Sequence, residues 1–217
     1  MNRIEGSESM TVSNAFDTPV SVATLTAVAD RLRARNFEVV NVPNAAAARA
    51  ALLDRIPEGS EVHSGKSKTL EDIGIYADLA ASDRYDFLRD RLLKMNRETQ
   101  YREMRKLSAA PDLMLASPQA VTERGEIVIA SASGSQIGPI ASGADKVFYV
   151  VGSQKIVPDL DAALRRIREY AVPRENERIQ RDYGKDMHTL LARILIVEAE
   201  YLPGRTTVIL VNEPLGV

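Results

Sequence analysis

The residues best suited to chemistry fall in two small-residue loops. The first, Ser64-Gly65-Lys66-Ser67-Lys68-Thr69, follows a short strand that carries His63 and precedes a helix. Small residues let backbone N–H groups approach an anion closely. Lys66 and Lys68 add charge, and a helix N-terminus adds its partial positive end. The spacing Gly-x4-Gly-Lys-[Ser/Thr] is absent, so this is not a Walker A loop. An ordinary strand–helix connection capped by Ser67 or Thr69 explains the same residues equally well. The second loop runs from Ser131 to Gly138 and includes Gly134, Ser135 and Gln136. Its hydroxyls and the Gln136 amide suit a small polar ligand, or else satisfy the loop's own backbone. It lacks the Gly-x-Gly-x-x-Gly dinucleotide fingerprint. Two carboxylates are candidate general bases: Glu123, in Thr122-Glu123-Arg124-Gly125, and Glu213, after the last strand. Each serves if buried beside the polar loops and is merely solvated otherwise. His63 is a proton shuttle or, more commonly, a hydrogen-bonded structural histidine. His188 stands in a polar segment and reads as exposed. No Ser-His-Asp arrangement and no Gly-x-Ser-x-Gly elbow is present.

Composition narrows the field. The chain has 217 residues, net charge −2 and no cysteine. That length suits one large domain with a substantial core. Near-neutral balance, with 28 Lys+Arg against 30 Asp+Glu, argues against nucleic acid as an obligatory partner. The lack of cysteine forbids disulfides, thiolate catalysis, Cys-ligated zinc and a cysteine-held iron–sulfur cluster. No bound metal is expected. No apolar run reaches the roughly 18 residues of a membrane span, and Met1 to Ser13 has no apolar signal region. The expectation is a cytoplasmic protein with a flexible tail over residues 1–17 and one domain over 18–217.

The elements that would position these loops alternate in type. Apolar residues Val22, Leu25, Val28, Ala29 and Leu32 recur at helical spacing, with Asp17 and Thr18 as caps. Residues 37–42 read as a strand, and Asn44 caps an alanine-rich helix over 45–56. A strand over 61–65 leads to a helix over 69–81 that Gly74 weakens. A long helix is expected over 83–107, with the stripe Tyr85, Leu88, Leu92, Met95 and Thr99. That stripe packs on the core or pairs with a second copy, so a homo-oligomer is compatible with it. Strands follow at 113–116, 121–124, 126–130 and 146–152, then a helix from Pro158 to Tyr170. Two last strands, 193–200 and 206–211, are joined around Pro203-Gly204 as a hairpin or a longer connection. The pattern predicts an α/β fold, a mostly parallel Rossmann-like sheet flanked by helices, with a C-terminal antiparallel segment. In such sheets ligands collect beyond the carboxyl ends of the strands.

Four segments in chain order resemble the LUD (lactate utilization) domain family. Gly65 to Gly74 resembles its G-x-S-x-T-L-x-x-x-G segment, and Ala120 to Gly125 its A-[VI]-T-x-x-G segment. Val150-Val151-Gly152-Ser153-Gln154-Lys155-Ile156-Val157-Pro158-Asp159-Leu160 is similar to V-V-G-x-x-K-I-V-x-D-L. Val208 to Gly216 is similar to the family's V-I-L-V-[NK]-E-x-L-G close. The resemblance covers about Thr24 to the C-terminus. It implies a NagB/ribose-5-phosphate isomerase/CoA-transferase-like fold and a LutC-like part in oxidation of L-lactate to pyruvate. Iron–sulfur clusters are then expected on partner proteins, not on this chain. Two departures stand out. Residues 173–192 carry no cysteine, and Gly134-Ser135-Gln136 replaces the Gly-Asn-Arg of many relatives, removing an arginine clamp.

Three expectations result. The first is a LUD-domain protein binding a small anionic metabolite, with Ser64, Gly65, Ser67 and Thr69 as cradle and Lys66 or Lys68 neutralising the charge. Thr122, Glu123, Gly134, Ser135 and Gln136 would line the far side, and Glu123 or Glu213 would act as base. The second is a stand-alone isomerase or CoA-transferase-like enzyme using a carboxylate. The third is a binding or scaffold subunit without chemistry.

Overall fold

The computed structural model describes residues 14–217. Residues 1–13 of the expected tail lie outside the described residues. Asn14–Phe16 forms a short 3-10 turn. Elements then follow in order: α1 (Val22–Ala34), β1 (Glu38–Val42), α2 (Ala45–Leu53), β2 (Glu61–Ser64), α3 (Lys68–Asp72), α4 (Ile75–Ala81) and β3 (Asp86–Phe87). Next come α5 (Leu88–Lys94), α6 (Tyr101–Ala109), β4 (Leu113–Ala116), β5 (Ala120–Thr122), β6 (Ile127–Ser131) and β7 (Lys146–Gly152). The chain closes with β8 (Ile156–Val157), α7 (Leu160–Arg166), α8 (Val172–Tyr183), β9 (Arg193–Val197) and β10 (Thr206–Val211). Wider helical turns cover Pro139–Gly143 and Ile167–Ala171, the second joining α7 to α8.

The strands form two sheets. Six parallel strands run in the order β1-β10-β7-β4-β2-β3, and a smaller mixed sheet runs β8-β5-β6-β9. The α/β class and the parallel sheet agree with the sequence pattern. Apolar runs mark the centre, because a strand covered on both faces needs no polar side. Thus β10 is buried throughout, and β7 is buried from Val147 to Gly152. The edge strand β1 is partly exposed.

Alternation along each strand sorts side chains to opposite faces. Leu113, Leu115, Phe148, Val150, Ile209 and Val211 pack against Leu52, Leu70, Ile75 and Leu79 of α2–α4. The alternate residues Met114, Val147, Tyr149 and Val208 pack against α1 and the inner face of the small sheet. Ala120, Val128 and Val157, on the outer face of that sheet, are covered by Ala162, Ala163 and Ile167. The resulting layers are α2–α4, large sheet, α1 with small sheet, and α7–α8.

Several expected elements differ. The long helix over 83–107 is absent. Residues 86–87 pair with β2 as a strand, and the helix breaks at Asn96. There the Asn96 side chain accepts from the backbone of Glu98 at 2.8 Å, a local turn that competes with helix continuation. Gly74, at φ 77°, divides the helix expected over 69–81. The first helix begins after Ser21, whose hydroxyl accepts from Thr24 N at 3.1 Å, and not at Asp17 or Thr18. The last two strands are not a hairpin. β9 runs antiparallel to β6 in the small sheet, whereas β10 is a parallel, central strand of the large one. The connection through Pro203-Gly204 therefore crosses between layers. The helix from Pro158 also continues past Tyr170, through the wider turn Ile167–Ala171, into α8, which takes Pro173 in its first turn.

Candidate functional site

The chain leaves adjacent strands β2 and β4 towards opposite faces of the large sheet. After β2 it enters α3, whose Leu70 joins the α2–α4 face, and after β4 it enters β5, whose Val121 joins the other. This divergence opens the crevice that ligands occupy in open α/β sheets. Three strand ends meet there: Thr69 beyond β2, Ser117 beyond β4, and Lys155 beyond β7.

Lys155 is their focus. It is 3% exposed, yet its Nζ donates to two hydroxyls, Thr69 Oγ1 at 2.8 Å and Ser117 Oγ at 2.9 Å. Ser117 Oγ in turn donates to Thr69 Oγ1 at 3.1 Å. Among the described residues no carboxylate pairs with Lys155. Burial holds its ammonium well below the usual lysine range, the charge of Arg166 adds to the effect, and Asp72 opposes it.

Arg166, on α7, is the second buried cation. It is fully buried, and its Nη1 donates to the carbonyl of Gln119, in the same β4–β5 crossover that carries Ser117. Its guanidinium lies 4.9 Å from the centre of the Tyr170 ring. Its Nε and Nη2 have no partner among the described residues. Those two nitrogens share one side of the guanidinium, the edge that grips a carboxylate in two parallel hydrogen bonds. Burial lowers its pKa to about 10, with Tyr170 and Asp17 acting the other way, so it stays charged at neutral pH.

The segment after β10 closes over these groups. Gln154 Nε2 donates to Leu215 O at 2.9 Å and Leu215 N donates to Gln154 Oε1 at 3.1 Å. Ser153 N and Oγ donate to the carbonyls of Glu213 and Asn212. Glycine is needed at both contact points. A Cβ on Gly152 would lie 2.9 Å from Leu215 O, and one on Gly216 would lie 2.8 Å from Thr69 N. A cavity of about 340 Å³ adjoins on the small-sheet side, lined by Phe16, Gln154, Ile156, Ala162, Arg165 and others. It thus touches the chain neighbours of both Lys155 and Arg166.

The residues expected from sequence divide into two groups. Ser64 is buried at the end of β2. Gly65 approaches the second loop, since a Cβ there would lie 3.3 Å from Gln136 Oε1. Its carbonyl accepts from the Tyr76 hydroxyl at 2.7 Å. Ser67 caps α3, and Thr69 enters the cluster just described. Lys66 is held by Asp182 at 2.9 Å, and Lys68 pairs with Asp72 one turn on, so neither points a free charge into the crevice. Thr122 is tied to Glu126. Glu123 stands at the end of β5 remote from Ser117, its backbone held by Val157 O and Arg31. Glu213 is exposed, and its carboxylate accepts from Ala45 N at 3.1 Å, at the N-terminus of α2. Gly134 packs by Arg193 and adopts φ 81°. Ser135 accompanies Ser133 at the surface, and Gln136 donates to Ala130 O at 3.1 Å.

His63 is buried, and its Nδ1 has no partner among the described residues. Burial and Arg89 lower its pKa to about 4, so it is neutral at physiological pH. His188 accompanies Gln180 at the surface. Sequence reasoning missed Ser117, Lys155 and Arg166. Arg166 had a visible signal: it sits four residues from both Ala162 and Tyr170, on the apolar stripe of its helix.

Among the described residues no group of His, Asp and Glu side chains gathers as metal ligands, and no helix is long and apolar enough to cross a membrane.

No curated protein matches the chain. Among solved structures it is similar to a DUF162 family protein from Deinococcus radiodurans, at 15% identity and TM-score 0.56. That likeness covers 89% of this chain and 99% of the other, and it supports the fold. The LUD domain model matches residues 25–211, a span that holds every strand of both sheets and all three buried groups of the crevice. The chain belongs to the LUD domain family.

Proposed function

We propose that this protein binds a small anionic metabolite, a hydroxy or keto acid, beside the β4–β5 crossover, and serves in a LutC-like way in oxidation of L-lactate to pyruvate. The observation that carries the binding is the unpaired Nε/Nη2 edge of Arg166. A buried guanidinium with two unsatisfied donors costs several kcal/mol unless an anion or water meets it, and a carboxylate fits that edge. The lactate role is supported by the family to which the chain belongs. Electrons from such an oxidation would pass to iron–sulfur partner proteins, since these 217 residues contain no cysteine to hold a cluster.

A thermal-shift series tests the binding. Lactate and pyruvate are expected to raise the melting temperature of the wild type, because a ligand at 100 times its Kd adds about 2.7 kcal/mol to the folded state. Arg166→Lys keeps the charge but loses the fork, and the shift should shrink. Response to sugar phosphates or acyl-CoAs alone would replace the carboxylate with those ligands, and no response would favour a scaffold role. For the redox role, lactate oxidation should require iron–sulfur proteins in the mixture; full activity of the isolated chain would refute it.

A further inference from the structure

We propose that Ser117 and Lys155 form a nucleophile–base pair for acyl transfer from an ester or thioester. The proposal uses the crevice assigned above but does not depend on which anion Arg166 holds.

The geometry has three parts. Ser117 Oγ and Lys155 Nζ stand 2.9 Å apart, within proton-transfer reach. Ser117 is half-buried while Lys155 is 3% exposed, so the serine is the more accessible member of the pair. The lysine is also fixed from behind. Ser153 and Gln154 make four hydrogen bonds to residues 212–215, which leaves the adjoining backbone little freedom.

Proton accounting agrees. An uncharged amine gives its two N–H groups to Thr69 and Ser117 and keeps a lone pair. Ser117 gives its proton to Thr69, which faces the Leu215 carbonyl at 3.4 Å. Rotation of the amine about Cε–Nζ turns its lone pair towards Ser117 Oγ, and rotation of the hydroxyl onto that lone pair makes the lysine a base. Burial and the charge of Arg166 favour the uncharged form. The enclosure of Nζ behind two hydroxyls disfavours the lysine itself as nucleophile.

In the first step Ser117 Oγ adds to the carbonyl carbon and its proton passes to Nζ. The tetrahedral adduct collapses, the bond to the alkoxide or thiolate breaks, and that group leaves with the proton from Nζ. Water then attacks the acyl-serine by the same proton route and releases a carboxylic acid. No oxidant or reductant is needed.

The test uses the full chain with p-nitrophenyl acetate and a fluorophosphonate probe. A stoichiometric adduct is expected on the peptide containing Ser117. Ser117→Ala should abolish it, and Lys155→Met should slow it about a hundredfold, the scale of general-base catalysis. Folding of each variant is checked by its melting transition. Absence of an adduct in the wild type, an adduct on another residue, or labelling unchanged in Ser117→Ala overturns the pair. So does trapping of Lys155 by pyruvate and cyanoborohydride, which would make the lysine the nucleophile. Carboxylate-induced thermal shifts should persist in Ser117→Ala, so a failed adduct and a failed anion site give different results.

Discussion

Lys155→Met tests the electrostatic core of the site without reference to any ligand. Methionine matches most of the lysine stem, and the two hydroxyls left behind still satisfy each other, since Ser117 donates to Thr69 and Thr69 faces Leu215 O. The substitution removes two hydrogen bonds, each worth about 1 kcal/mol, and it also removes a buried cationic group. The sign of the pH dependence follows from proton counting. The folded lysine has a pKa well below the unfolded value, which lies near 10.4. Between those two values the unfolded chain binds the extra proton. Wild-type stability therefore rises with pH through that window, by about 1.4 kcal/mol per pH unit. Below the folded pKa both states are charged and the slope vanishes. The groups acting on Nζ are Thr69, Ser117, Arg166 and Asp72, and all remain in the variant, so their own titrations largely cancel in the difference. Urea unfolding of both proteins between about pH 7 and 9 should show the wild type gaining on the variant as pH rises. Parallel stability curves would refute a depressed Lys155 and remove the base from the proposed pair.

Three further outcomes test the surroundings. Glu213→Ala removes an acceptor at the start of α2, and should cost about 0.5–1 kcal/mol in urea unfolding; a larger loss would contradict its exposed, capping position. Gly216→Ala places a Cβ 2.8 Å from Thr69 N at φ 70°, and should cost about 1–3 kcal/mol and speed hydrogen exchange in the 212–217 segment. Unchanged exchange there would show that the segment does not seal the cluster as described. Arg205→Met strips donors from Ala144 O, Pro139 O, Ile140 O and the buried Glu200, and should cost about 3–5 kcal/mol by chemical denaturation.

The fold was legible where one force dominated. The run Val147 to Val151 announced a strand buried on both faces, and Asn44 announced its helix, with its side chain accepting from Ala47 N at 2.9 Å. It was illegible where partners were distant. Nothing local says that Arg193–Val197 and Thr206–Val211 enter different sheets, because pairing depends on strands far back in the chain. The break at Asn96 shows a local rival, a side chain that mimics a turn, overriding an apolar stripe.

The site divides by the same logic. Thr69 was found because a small-residue loop at a strand end is a local pattern. Ser117 and Lys155 were passed over because each is ordinary in its own segment: a serine before a proline, and a lysine that composition assigns to the surface. Their meaning comes from convergence. Thr69 and Lys155 are 86 residues apart in sequence, and their atoms are 2.8 Å apart. Arg166 is the intermediate case, since its place on the apolar face of α7 is periodic and its lack of a carboxylate partner among the described residues is spatial. A charged residue on a buried stripe is therefore the sequence feature most worth following in this chain. Burial there must be offset by a partner, and Nε and Nη2 have none among the described residues.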